Sequence, residues 1–146
     1  MPRVRRPRRQ APVLALLHAT LPELRRGLTE SAARRQHGDD VATSRFALSD
    51  SDRAQTEREA HGHIKVVVDK KGKILGVTIV GAQAGELIAT WILSIAQGMN
   101  IRALTGVVLP YPTLSEIGKR AAIDFFTPSL TRPLLRRIIA WLRIFG

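Results

Sequence analysis

Between Gly62 and Gly81 two β-rich runs are joined by a short polar loop, and no other stretch of the chain restricts the fold so tightly. In the first run Ile64, Val66 and Val68 alternate with Lys65, Val67 and Asp69, the period of a strand that buries one face. Asp69-Lys70-Lys71-Gly72-Lys73 follows, with Gly72 placed for a positive φ, and Ile74 through Val80 returns as the second run. The spacing predicts an antiparallel hairpin.

Flanking signals alternate between helix and strand. A short helix is predicted over Ser31 to Gln36, with Thr29 or Ser31 as its cap and Gly38 as its left-handed stop. Phe46 and Leu48 suggest a short strand. Ser49-Asp50-Ser51-Asp52 then offers turn and cap chemistry ahead of a polar helical turn through Glu59. After Gly81, Leu87, Ile88, Trp91, Ile92, Ile95 and Met99 fall on one broad apolar face, with Gly98 near the helix end. That face is wide enough to rest on the sheet and still offer a side to a partner chain. Val107 and Val108 are a further strand candidate, and Thr113 begins a helix with Ile117, Ala121, Ala122 and Phe125 turned inward. No βαβ rhythm appears, so the fold class is α+β: an antiparallel sheet with helices packed on one face.

Composition narrows the function. The 146 residues suit one domain with a real core, and 45% apolar against 24% charged residues is a soluble globular balance. There is no cysteine, which excludes thiolate chemistry and cysteine-ligated metal. The histidines His18, His37, His61 and His63 have no metal-ligand spacing. The formal charge of +11 is concentrated at the two ends: five arginines in residues 1–10 and four in residues 128–146, with no acid in either. The body between them is nearly neutral and poor in aromatics, so no nucleic-acid partner is expected.

Asp52-Arg53-Ala54-Gln55, the Gly62–Gly81 hairpin, Ala84-Gly85-Glu86-Leu87-Ile88 and Tyr111-Pro112-Thr113-Leu114-Ser115-Glu116 follow one another in a familiar order. This order resembles the C-terminal dimerisation domain of the pyridine nucleotide-disulfide oxidoreductases, nearest the dihydrolipoamide dehydrogenase and mercuric reductase branch. Pro22-Glu23-Leu24 and Gly27-Leu28-Thr29-Glu30 resemble the domain's entry segment, although two arginines stand where the family has smaller residues before Gly27. The resemblance implies the dimerisation domain at 12–127, while prolines and repelling arginines predict a basic disordered tail at 1–11 and helical spacing predicts a basic amphipathic helix at 128–146. It also implies a homodimer, or pairing with an intact family member, in the cytoplasm.

In the intact family FAD, NAD(P)H and a redox dithiol belong to preceding domains. This chain has neither a dithiol nor a Gly-x-Gly-x-x-Gly run, so no cofactor is expected on it alone, and it reads as a truncated or orphan chain. The family's His-Pro-Thr-x-x-Glu signature places an acid-base histidine against the partner's dithiol, oriented by the glutamate. Tyr111 stands at the histidine position and Glu116 at the glutamate, which makes them the candidate catalytic residues. A phenol with a reference pKa of about 10 is a poor base at neutral pH but can donate a proton or a hydrogen bond. Two other readings stay open: Thr113 and Glu116 also spell a capping box, and Tyr111 between two prolines also suits an interface ring.

Leu134, Leu135, Ile138, Ile139, Leu142 and Phe145 recur at helical spacing against four arginines. Such a segment can pack on protein or lie on anionic lipid. An alternative function follows from it: a small basic interaction module that binds membrane surfaces or polyanions through its arginine-rich ends.

Overall fold

The computed structural model describes residues 22–127. The tail predicted at 1–11 and the helix predicted at 128–146 lie outside the described residues. Four antiparallel strands, β1 (Glu23–Gly27), β2 (Val41–Ala47), β3 (Gly62–Asp69) and β4 (Ile74–Gly81), form one sheet in the order β1-β4-β3-β2. Between and after them lie α1 (Glu30–His37), α2 (Asp52–Thr56), α3 (Ala84–Ala96), α4 (Arg102–Thr105) and α5 (Glu116–Asp124). The α+β class is as expected.

The hairpin sits at the centre of the sheet. Ile64 pairs with Ile79 and Val66 with Val77, but beyond Val67 the register shifts, and Val68 faces Ile74. Strict alternation from Ile79 and Val77 would have put Leu75 on the same face. The extra residue flips the parity, so Ile74 joins that face and Leu75 turns to the other. Both faces therefore carry apolar residues. The larger core gathers Ile64, Val66, Val68, Ile74, Val77 and Ile79 beneath Ile88 and Trp91 of α3 and Ile117 and Ala121 of α5. On the opposite face Val67 and Leu75 meet Ala33 of α1, Val41 and Leu28. The main helices do pack on one face, while the short α1 covers one corner of the other.

Individual signals explain the element ends. Thr29 accepts a hydrogen bond from the Ala32 amide at 3.1 Å and opens α1, and Gly38, with a φ of 59°, closes it. Ser51 caps α2. Gly72 adopts a φ of 86° in the hairpin loop, whose carbonyl accepts from the Ile101 amide at 2.8 Å, tying the loop to the segment after α3. On β2 the buried Ser44 hydroxyl donates to the Ala121 carbonyl at 2.7 Å and fixes α5 across that strand.

Three expectations change. The strand suggested by Phe46 and Leu48 is longer and earlier, Val41–Ala47, with Leu48 already in a 3-10 turn. Val107 and Val108 form no strand; Val108 is 91% exposed in an irregular loop. The last helix starts at Glu116 instead of Thr113, because the Thr113 hydroxyl donates to the Pro110 carbonyl and so belongs to the preceding turn. The two arginines before Gly27 are accommodated: Arg25 and Arg26 stand opposite Thr78 and Val77 in an unbroken ladder and are half-buried.

Two predictions follow from this architecture. Replacing a strand glycine by alanine ordinarily recovers backbone entropy worth about 0.5–1 kcal/mol. At Gly76, however, a Cβ would lie 2.0 Å from the Leu28 carbonyl oxygen. Gly76→Ala is expected to destabilise the chain by about 2–4 kcal/mol, measured by urea unfolding. The second concerns Glu30, which accepts from Lys65 at 2.7 Å and from Arg34 at 3.0 Å. The Lys65 bond, then the Arg34 bond, holds its carboxyl below the ordinary 4.5. A lowered folded pKa adds stability that is complete above the unfolded value and lost as pH falls through the folded one. Wild type should therefore lose stability more steeply than Glu30→Gln from about pH 5 to about pH 3, in urea titrations across that range.

Candidate functional site

The site is built at one end of the larger core, where the irregular loop from Gly106 to Ser115 passes between α3 and α5. Pro110 and Pro112 restrict this loop, and the Tyr111–Pro112 peptide bond is cis. Tyr111 projects from it with 67% of its surface exposed. Its hydroxyl donates to the Asp52 carboxylate at the start of α2, at 2.5 Å. Glu116 begins α5 and is half-buried, and Arg120 follows one helical turn later. A small polar cleft is lined by Phe46, Asp50, Asp52, Tyr111, Glu116 and Arg120.

Both residues expected from the sequence thus reach one cleft. Their connection differs from the expected one, because the acid bonded to Tyr111 is Asp52 instead of Glu116. The hydrogen bond to Asp52, then that carboxylate's charge, raises the phenol above its ordinary value of 10; Glu116 adds a smaller push and Arg120 opposes it. Tyr111 is consequently a neutral phenol at pH 7 and does not act as a base. The capping-box reading of Glu116 finds no bond to carry it: the cap residue of α5 is Ser115, and its side chain makes no capping hydrogen bond. Asp52 was missed as a Tyr111 partner because the two are 59 positions apart, and nothing local in either segment signals the contact.

Beside the cleft runs a groove whose apolar lining is Leu87 and Trp91 of α3, Leu104, Val107, Leu109 and Ile117, with Glu86, Thr90, Ser115 and Lys119 adding polar groups to it. Its floor is tight, since a Cβ on Gly118 would sit 3.2 Å from the Trp91 indole nitrogen. Glu86, Thr90 and Leu93 continue the outer side of α3 at helical spacing, and Leu93 is 59% exposed. On the loop Val107, Val108 and Tyr111 are also exposed. The apolar face expected to serve both sheet and partner is taken up by this domain's own core, with Leu87, Ile92 and Ile95 packed against it, and the outward side of α3 carries Glu86, Ala89, Thr90 and Leu93. Among the described residues no helix is long and apolar enough to cross a membrane.

The sequence matches the family model described as pyridine nucleotide-disulphide oxidoreductase, dimerisation domain, over residues 21–122. The chain belongs to this family. A dihydrolipoyl dehydrogenase of Thermus scotoductus is 46% identical over 91 residues, covering 62% of this chain and 20% of that protein. A mercuric reductase of Lysinibacillus sphaericus is 40% identical over 100 residues, covering 68% and 18%. The chain thus spans about a fifth of the length of the curated relatives it matches. Among solved structures, LpdA from Mycobacterium tuberculosis superposes with a TM-score of 0.70 at 20% identity, covering 80% of this chain and 25% of that one. The flavoprotein disulfide reductase RclA of Escherichia coli gives 0.65 at 24%, covering 70% and 23%. These two structural matches show the same fold.

Proposed function

We propose that this chain is the dimerisation module of an FAD-dependent oxidoreductase and that it pairs through the surface formed by α3 and the Val107–Tyr111 loop. The single observation that carries this reading is the set of exposed large apolar side chains, Leu93 on α3 and Val107, Val108 and Tyr111 on the loop, of which Val107 also lines the groove at Trp91. Large apolar side chains left open around a groove on a folded domain fit an interaction site. Family membership supports a second copy, or an intact family member, as the occupant. FAD and NAD(P)H belong in this proposal to the remainder of the parent enzyme. Residues 12–127 are the module, and a cytoplasmic location is part of the same reading.

Tyr111 and Glu116 are its proposed site residues. Placed on the pairing surface, Tyr111 meets the partner as a protonated phenol, with Glu116 and Arg120 setting the charge around it. No observation on the described residues favours the alternative of a membrane-binding or polyanion-binding module, whose arginine-rich segments lie outside them.

The test is sedimentation equilibrium of the full chain. The wild type is expected to self-associate at both low and high salt, as an apolar contact should. Val108→Asp and Leu93→Glu are each expected to weaken association by about tenfold or more, equivalent to about 1.4 kcal/mol or more. A chain that stays single at high concentration, or one whose association ignores both substitutions, would sink the proposal.

A further inference from the structure

Tyr111 has a surface ring in an irregular loop, and two-thirds exposure leaves little packing to hold it. What restrains its tip is one bond, from the hydroxyl to Asp52 on α2. The direction of that bond is set by chemistry, because a carboxylate oxygen accepts and the phenolic O–H is the donor. Once its proton is committed to Asp52, the phenol oxygen offers lone pairs to whatever approaches from outside. A neighbour bringing a donor is welcome at that oxygen, and one bringing an acceptor must first displace Asp52.

We propose that Asp52 is the positioning residue for Tyr111: its carboxylate binds the phenolic proton, anchors the ring over the cleft between α2 and α5, and presents the oxygen outward as a hydrogen-bond acceptor. The groups facing the ring from the surrounding elements fit this assignment. Asp50 and Asp52 line the cleft from the β2–α2 side, while Glu116 and Arg120 line it from α5. Of these, Asp52 alone is bonded to the hydroxyl. The phenol's resistance to ionisation, caused first by that bond, agrees with it. The inference rests on Tyr111 as a site residue and deepens that part of the functional reading. It does not need self-association, so a single chain in solution would defeat the pairing proposal and leave this one open to its own measurement.

The sequence supplies a clean probe, since Tyr111 is the one tyrosine in the chain. Ultraviolet difference titration of tyrosinate therefore reports this site alone. In the full chain, Tyr111 is expected to ionise above the ordinary value of about 10. Asp52→Asn should lower that midpoint by about half a pH unit or more, while Asp50→Asn, which alters a neighbouring acid of the same cleft, should leave it close to wild type. Equal midpoints in wild type and Asp52→Asn would overturn the assignment. So would an equal shift from Asp50→Asn, which would reveal a diffuse field in place of a specific contact. Carbon relaxation of the Tyr111 ring at neutral pH gives a second readout that avoids alkaline unfolding. There Asp52→Asn should loosen the ring and Asp50→Asn should not, and unchanged ring motion in Asp52→Asn would again count against the anchor.

Discussion

The register shift between β3 and β4 at Val67 and Val68 governs how the remaining elements can be arranged. Val67 faces α1 by the alternation of β3 alone, and the shift adds Leu75 to it. With the shift, Val67 and Leu75 form a small second cluster under α1, while Ile74 completes the main face under α3 and α5. Burial on both sides of the central strands then leaves α3 sitting on β4 with its outer side open.

Two kinds of chemistry meet on the loop between α4 and α5. Val107 and Leu109 close the wall of the apolar groove, and two residues further on Tyr111 enters the polar cleft. The prolines on either side of Tyr111 limit the loop's backbone choices, and the Thr113 hydroxyl satisfies the Pro110 carbonyl within the turn. The apolar portion of the loop can contribute contact area, and the phenol adds a directional contact at its margin. Tyr111 therefore places at this margin an aromatic ring whose phenol keeps its proton at neutral pH.

The elements read most easily from the sequence were those with a strong period or a clear cap. The hairpin, the broad apolar face of α3, the Thr29 cap and the Gly38 stop needed only local information. β2 was harder: Val-Ala-Thr-Ser-Arg-Phe-Ala carries weak alternation because its small and polar members are placed by tertiary contacts, such as Ser44 against α5. The opposite error occurred at Val107 and Val108, where β-branched residues suggested a strand but the segment has no ladder partner and exposes Val108. Family resemblance brought Tyr111 and Glu116 to attention. The Asp52 contact emerged only from the fold, which brings a helix start and a distant loop together.

β1 lies at the margin of the sheet and bonds to β4 on one side only. Such a strand offers its unpaired backbone groups to any extended segment that drifts alongside. Arg25 and Arg26 follow one another on it with their side chains on opposite faces of the sheet, directly before Gly27, which takes a φ of 78° at the strand's end. A strand of only five residues that carries charged side chains is a poor template for a second extended segment. Shortness and charge together disfavour continuous sheet growth along this margin.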